Sequence, residues 1–206
     1  MKLPATLGLL VLVALVVSGI HPYDRTTWVM EVAPIFIAAP VLIATYRRFP
    51  LTRLLYVLIA LHALILIFGG AYTYARVPLG FWLQDWLGLA RNPYDRIGHF
   101  MQGVTPALLA REIFIRGGYV AGWRITAFLC ACVAMTVSAC YELIEWWAAL
   151  ALGQGADAFL GTQGDPWDTQ GDMFSALIGA MVALAALSRV QDAQIRALQS
   201  RPLRPF

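Results

Sequence analysis

Charged side chains are what this sequence has least of. Only 13% of its 206 residues are charged, whereas a typical soluble domain carries about 25%. Fifteen basic and 12 acidic residues are too few to cover the surface of a soluble globule of this length. The hydrophobic share of 60% also excludes a disordered chain, which needs low hydrophobicity and high charge.

Lysine and cysteine are scarce as well. Lys2 is the single lysine, and there is no basic run or basic helical face, so we expect no nucleic-acid partner. Three cysteines exclude a disulfide-stapled secreted fold. Cys130 and Cys132 are two residues apart and fall on different helix faces, which argues against a shared metal. Nothing in the sequence predicts a nucleotide or haem cofactor.

What the sequence does have is long apolar segments, which predict an all-α integral membrane protein with a single domain of about six transmembrane helices. The predicted spans are residues 5–20, 28–46, 53–71, 97–115, 123–146 and 171–188. Residues 189–206 are predicted to form a tail. The loop 72–96 is predicted to contain a short amphipathic helix that lies in the membrane interface, around Trp82 and Trp86.

The distribution of charge predicts the orientation of the helices. With a cytoplasmic N-terminus, eleven of the basic residues lie inside and four outside, as the positive-inside rule requires. Ten of the 12 acidic residues then lie at the outer ends of the spans. The sequence therefore predicts a protein of the bacterial inner membrane with both termini in the cytoplasm and the lipid bilayer as its partner. Protein partners cannot be read from it.

The outer ends of three spans carry polar residues at helical spacing, and such residues are costly in a membrane unless they have a function or a partner. Asp95 and His99 are four residues apart at the start of the fourth span, so they share one helix face. Glu142 and Glu145 are three apart at the end of the fifth span. Asp168 and Asp172 are four apart at the start of the sixth, where helix capping is the simpler explanation.

These residues predict one metal site at the outer membrane surface, provided that the three helix ends are neighbours. The expected ligands are His99, Glu142, Glu145, Asp168 and Asp172, and the expected ion is a hard or borderline divalent cation such as Mg, Mn, Ca or Zn. Asp95 and Glu142 are the predicted catalytic residues, with Asp95 orienting His99. Arg96 is the predicted substrate-binding residue. The alternative is a structural network of capped and paired carboxylates.

The ordered motifs carry a resemblance to a family. Pro93-Tyr94-Asp95-Arg96 with His99-Phe100, Tyr141-Glu142 with Glu145-Trp146, and Gln163-Gly164-Asp165 with Asp168 and Asp172-Met173 resemble the YjdF-like bacterial inner-membrane proteins, a domain of unknown function. The resemblance covers nearly the whole chain and implies a multi-pass inner-membrane protein without implying an activity. A more distant similarity, through Asp95-Arg96-Ile97-Gly98-His99-Phe100, is to the VanZ-like membrane proteins.

Two main functions remain open at this point. One is a metal-dependent hydrolase or transferase that acts on a lipid-linked or envelope substrate. The alternative is a small proton- or cation-coupled transporter in which His62, in the middle of the third span, acts with Glu142 and Glu145. A structural or accessory subunit would use the same acidic surface to bind a partner.

Overall fold

The fold is entirely helical in the part of the chain that the structure, a computed structural model, describes: residues 2–152 and 162–200. This confirms the all-α fold class. One 3₁₀ turn, Tyr74–Arg76, accompanies seven α-helices. They are α1 (Lys2–Ile20), α2 (Arg25–Thr45), α3 (Arg53–Tyr72), α4 (Pro78–Leu87), α5 (Tyr94–Gly117), α6 (Trp123–Leu152) and α7 (Asp168–Gln199). Residues 153–161 and 201–206, within the predicted outer loop and tail, lie outside the described residues.

Five of these helices are long and apolar enough to cross a membrane: α1, α2, α3, α6 and α7. The fourth predicted span, α5, is not among them. Its 24 residues would extend about 36 Å at roughly 1.5 Å per residue, but five of them are charged. α5 can carry these charged residues because it packs against α3, α6 and α7 and so contacts protein on several sides. Thirteen of its residues are buried, against one in α1.

Close contact between α5 and α7 depends on glycine. A Cβ added at Gly103 would overlap the backbone carbonyl of Ala176, and one added at Gly179 would overlap that of Phe100. Such small residues let membrane helices approach until their backbones touch. The contact fixes α7 against α5 in a register that brings the beginnings of both helices to the same end of the bundle, which we call the site end.

The opposite end is held together by a buried carboxylate on α5. Glu112 is fully buried and accepts hydrogen bonds from Thr52 N at 2.9 Å and Thr52 Oγ1 at 2.7 Å. Arg116 donates to the same carboxylate at 2.9 Å, four residues along the helix. Since Thr52 also caps α3, this carboxylate ties the beginning of α3 to the end of α5.

The last helix extends beyond its predicted end at residue 188. Gln191 is fully buried and donates to the backbone oxygen of Leu108 at 2.8 Å, while Arg111 donates to Asp192 at 2.7 Å. These contacts keep residues 189–199 helical against α5, although charged and polar residues are frequent there. The helix therefore continues to Gln199, so residues 189–199 of the predicted tail are helical.

The short helix predicted in loop 72–96 is present as α4. Trp82 and Trp86 lie one turn apart and stack with ring centroids 5.9 Å apart, and both are exposed.

Cys130 and Cys132 lie on different faces of α6, as their spacing predicts: Cys130 is buried in the bundle, whereas Cys132 is exposed.

Candidate functional site

Three helix ends meet at the site end, as the sequence-based prediction required. The beginning of α5 brings Asp95 and His99, the beginning of α7 brings Asp168 and Asp172, and α6 brings Glu142 and Glu145 to the same place. All six side chains are buried, with Glu142 and Glu145, the most exposed of them, at 8%.

The beginning of α5 is fixed by Asn92, which sets where Asp95 and His99 fall. Its Oδ1 accepts the backbone N–H of Tyr94 at 3.0 Å, and its Nδ2 donates to the backbone oxygen of Val77 at 3.0 Å. The helix therefore begins at Tyr94, and Asn92 satisfies a free N–H of its first turn. Gln163 exchanges two hydrogen bonds with the backbone of Asn92, at 3.1 and 2.9 Å, which holds the segment before α7 beside α5.

His99 lies at the centre of the site. Its Nδ1 is 3.0 Å from Gln102 Oε1, an oxygen that can only accept, so Nδ1 carries a proton and Nε2 is the nitrogen that a metal could bind. Nε2 faces two carboxylate oxygens, Asp95 Oδ1 at 3.5 Å and Asp172 Oδ1 at 3.8 Å. Ligand atoms of these three residues all lie within 4.8 Å of one another.

Two buried carboxylate oxygens at the site have no hydrogen-bond partner among the described residues, namely Asp95 Oδ2 and Glu142 Oε1. Glu142 Oε1 lies 3.7 Å from His99 Nδ1. An unsatisfied buried polar group costs about 1–3 kcal/mol, and more when the group is charged. The arrangement is therefore unfavourable unless a proton or a cation compensates these oxygens.

Two arginines cover the carboxylates of α7. Arg96 Nη1 donates to Asp172 Oδ1 at 2.6 Å and to the backbone oxygen of Asp168 at 2.8 Å. Arg91 forms an ion pair with Asp168 and donates to the backbone oxygen of Thr162 at 2.7 Å. Asp168, predicted as a metal ligand, is thus placed with the arginines instead of facing His99. Arg96, predicted to bind substrate, holds Asp168 and Asp172.

A small cavity adjoins the His99 centre. Its volume is about 20 Å³, enough for one water-sized body. The lining includes side chains from α2, α3, α5, α6 and the 3₁₀ turn: Glu31, His62, Leu66, Tyr74, Asp95, Gly98, His99, Gln102, Tyr141 and Glu145. Glu145 thus reaches the cavity, while Glu142 lies on the other side of His99 beside Nδ1.

Tyr74 closes one wall of this cavity. It lies in the 3₁₀ turn between α3 and α4, is 5% exposed, and packs its ring on Tyr94 with centroids 5.7 Å apart. Burial, reinforced by the negative charge of Glu31, raises the pKa of Tyr74 well above its ordinary value. The phenol therefore stays protonated and presents a hydrogen-bond donor to the carboxylates.

Sequence reasoning missed three contributors to this site: Glu31, Tyr74 and Arg91. Glu31 is 2% exposed on α2, and Tyr141 Oη donates to its Oε2 at 3.3 Å. A lone acid in an apolar helix is the signal that could have placed it in the bundle interior. The sequence offered no comparable signal for Arg91, whose partners are separated from it by all of α5 and α6.

Comparison with known proteins agrees with this architecture. Residues 3–193 match the family described as "Predicted membrane protein (DUF2238)". The chain belongs to this family. It is 60% identical over 191 residues to the inner membrane protein YjdF of Escherichia coli strain K12, an alignment that covers 93% of this chain and 91% of the relative. No solved structure matches the chain.

Membership of the family and the relative's inner-membrane name confirm the resemblance to YjdF-like proteins. Together with the apolar helices they place the chain in a bacterial inner membrane. The similarity to VanZ-like proteins and the cytoplasmic position of both termini stay predictions.

Proposed function

We propose that this protein binds a divalent metal ion at the His99 centre and uses it as a hydrolase or transferase. The substrate would be a lipid-linked or envelope molecule at the periplasmic membrane interface. The observation that carries the proposal is the convergence of Asp95, His99 and Asp172, with Asp95 Oδ2 and Glu142 Oε1 buried beside them and, within the described part of the chain, without hydrogen-bond partners.

The distances suit a metal ion. Bonds of about 2.0–2.2 Å from a metal to nitrogen and oxygen place neighbouring ligand atoms about 3–3.5 Å apart. The separations of 3.5 and 3.8 Å around His99 Nε2 are close to that range. Gln102 on Nδ1 and Arg96 on Asp172 are the outer partners that commonly orient metal ligands. One imidazole among carboxylates favours Mg, Mn, Ca or Zn over a thiophilic metal.

Most of the predicted residues have a role in this chemistry. His99, Asp172 and Asp95 would hold the ion, while Glu145 lines the adjoining cavity and Glu142 lies beside Nδ1 of His99. A bound metal would supply Lewis-acid chemistry and lower the pKa of water, and Glu142, whose Oε1 has no hydrogen-bond partner among the described residues, would act as the proton acceptor.

The arginines complete the proposed site. Arg96 and Arg91 lie beside Asp168 and Asp172 and are about one-fifth exposed. The exposed edges of these guanidinium groups would bind an anionic headgroup, which is the substrate-binding role predicted for Arg96 from the sequence.

A test of the activity uses the full chain reconstituted in vesicles of phosphatidylethanolamine and phosphatidylglycerol. The released water-soluble headgroup is measured with Mn²⁺, with Zn²⁺ and with EDTA. We expect metal-dependent release that is lost in Asp172→Asn and Glu142→Gln. Asp85→Asn, which removes an exposed carboxylate of α4, is the matched control and should keep it. A folded wild-type protein that takes up neither Mn²⁺ nor Zn²⁺ on titration would rule the proposal out.

The second candidate is a proton- or cation-coupled transporter, favoured by one observation. His62 of α3 lines the same cavity as Glu31, Asp95 and Glu145, so titratable groups continue from the site end toward the middle of a span. Uptake of Mn²⁺ into sealed vesicles, measured with an enclosed fluorescent chelator, separates the candidates. Uptake that His62→Ala abolishes would support transport, whereas headgroup release that tolerates His62→Ala would support the enzyme.

A further inference from the structure

We propose that the site end holds two divalent cations, the second bound by Glu31 of α2 and Glu145 of α6, with Asp95 as the bridging carboxylate. This inference rests on the proposed metal site at His99 and goes beyond it. It gives a ligand role to Glu31, which neither the sequence motifs nor the His99 centre uses.

The two oxygens of Asp95 differ in their surroundings. Oδ1 faces His99 Nε2 at 3.5 Å and belongs to the first centre. Oδ2 is buried and has no hydrogen-bond partner among the described residues, although Asp95 as a whole is only 6% exposed and lines the cavity. A carboxylate with one oxygen at a metal and the other oxygen free is arranged as a bridge between two cations.

The cavity beside Asp95 has the size and the lining of a cation site. Its volume of about 20 Å³ accommodates one water-sized body, and an ion with short bonds to the walls needs no more. Glu31 and Glu145 supply carboxylates to it from two further helices, and His62 supplies an imidazole. Carboxylates and imidazoles that project inward from facing helices are how helical bundles build two-metal centres.

Tight packing holds Glu31 at this position. A Cβ added at Gly70 of α3 would come within 3.1 Å of the Cβ of Glu31, so α2 and α3 touch where this carboxylate enters the bundle. The next residue, Val32, is fully buried. Tyr141 Oη donates to Glu31 Oε2 at 3.3 Å, which orients the carboxylate and leaves lone pairs of both oxygens for a ligand.

The balance of charge also favours two ions over one. Six carboxylates of the site end are buried: Glu31, Asp95, Glu142, Glu145, Asp168 and Asp172. Arg91 and Arg96 are the two arginines that pair with members of this set. A metal ion bound to Nε2 requires a neutral His99, so in the metal-bound state four negative charges remain: one divalent cation leaves two of them buried and two divalent cations leave none. Buried charges are tolerated only when they are paired or bind metal.

Protonation of two carboxyl groups around a single ion is the rival explanation, and a count of ions decides between them. The full-length protein in detergent is saturated with Mn²⁺, and the bound metal per chain is measured together with the electron paramagnetic resonance spectrum. We expect two Mn²⁺ per chain and a spectrum of two coupled ions, because bridged metals in two-metal sites lie about 3.5–4 Å apart.

Glu31→Gln keeps the shape of the side chain and removes its charge, so we expect one Mn²⁺ per chain with an uncoupled spectrum. Glu145→Gln should give the same result and replaces Glu31→Gln if that variant does not fold. Asp85→Asn should keep two coupled ions. One Mn²⁺ per chain in the wild type would overturn the second site and leave the proposed function standing, whereas no bound Mn²⁺ would overturn both. Two coupled ions in folded Glu31→Gln and Glu145→Gln would overturn the assignment of these ligands.

Discussion

Asp95 Oδ1 and His99 Nε2 face each other at 3.5 Å across one turn of α5, the helix that packs against α3, α6 and α7. Gln102 Oε1 lies 3.0 Å from the other ring nitrogen, so Nε2 is the nitrogen that faces the carboxylates. This contact requires a positive charge between the two groups, either the proton of an imidazolium or a metal ion, and Asp172 of α7 supplies a third ligand atom at the same place.

Removal of the outer partner of His99 is predicted to weaken metal binding without unfolding the protein. Gln102→Leu takes away the acceptor at 3.0 Å from Nδ1 and lets the ring rotate or change tautomer. Loss of such a partner typically lowers metal affinity by about 10–100-fold. Isothermal titration with Zn²⁺ measures the change, and Gln84→Leu on α4 is the control. An unchanged affinity in Gln102→Leu would show that this amide does not orient the ligand.

Glycine-mediated contact between α5 and α7 is predicted to be necessary for stability. Gly103→Ala and Gly179→Ala each place a methyl group against a backbone carbonyl of the other helix, and such overpacking costs about 1–3 kcal/mol. We expect both variants to unfold at lower temperature in detergent. Gly8→Ala, where nothing lies within 4 Å of the added Cβ, is the matched control and should melt like the wild type. If all three variants unfolded at the same temperature as the wild type, the register of α5 against α7 would be contradicted.

Glu112, at the opposite end of α5, is predicted to serve stability and not metal binding. It is fully buried and bonded to Thr52 and Arg116, and breaking a buried ion pair costs about 3–5 kcal/mol. Glu112→Ala should therefore lower the free energy of unfolding by about 3–5 kcal/mol. Mn²⁺ binding by the folded fraction should stay unchanged. Loss of Mn²⁺ from folded Glu112→Ala would show that the two ends are coupled.

The predicted orientation has its own test. A reporter that is active only in the cytoplasm, fused after Phe206, should be active, and one that is active only in the periplasm should not be. Fusions after Leu89, in the loop between α4 and α5, should behave in the opposite way. The reverse pattern would place the His99 centre at the cytoplasmic surface and exclude a periplasmic substrate.

Local spacing was enough to predict from the sequence which polar residues share a helix face. Asp95 with His99, Glu142 with Glu145, and Asp168 with Asp172 each share a helix face because of their separation, and the apolar segments place all three pairs at one depth. The helix boundaries were less accurate. Residues 189–199 look like a polar tail until Gln191 and Asp192 are seen to pair with α5.

Tertiary packing decided what the sequence could not predict. Glu31 belongs to the site because α2 packs on Gly70 of α3, and no residue near Glu31 encodes that contact. Asp168 lies with Arg91 and Arg96 because Gln163 pins its loop to Asn92. Spacing within a helix shows which residues share a face, whereas the identity of the facing residue depends on how the helices cross.

X-ray absorption of the Zn²⁺-loaded protein tests the central claim most directly. The account predicts a first shell of nitrogen and oxygen, with outer-shell scattering from the imidazole of His99. It also predicts that His99→Ala loses the imidazole scattering and that Asp172→Asn binds Zn²⁺ more weakly. A saturable Zn²⁺ spectrum without imidazole scattering, or one that is identical in wild type and His99→Ala, would contradict the claim that a metal binds at Asp95, His99 and Asp172.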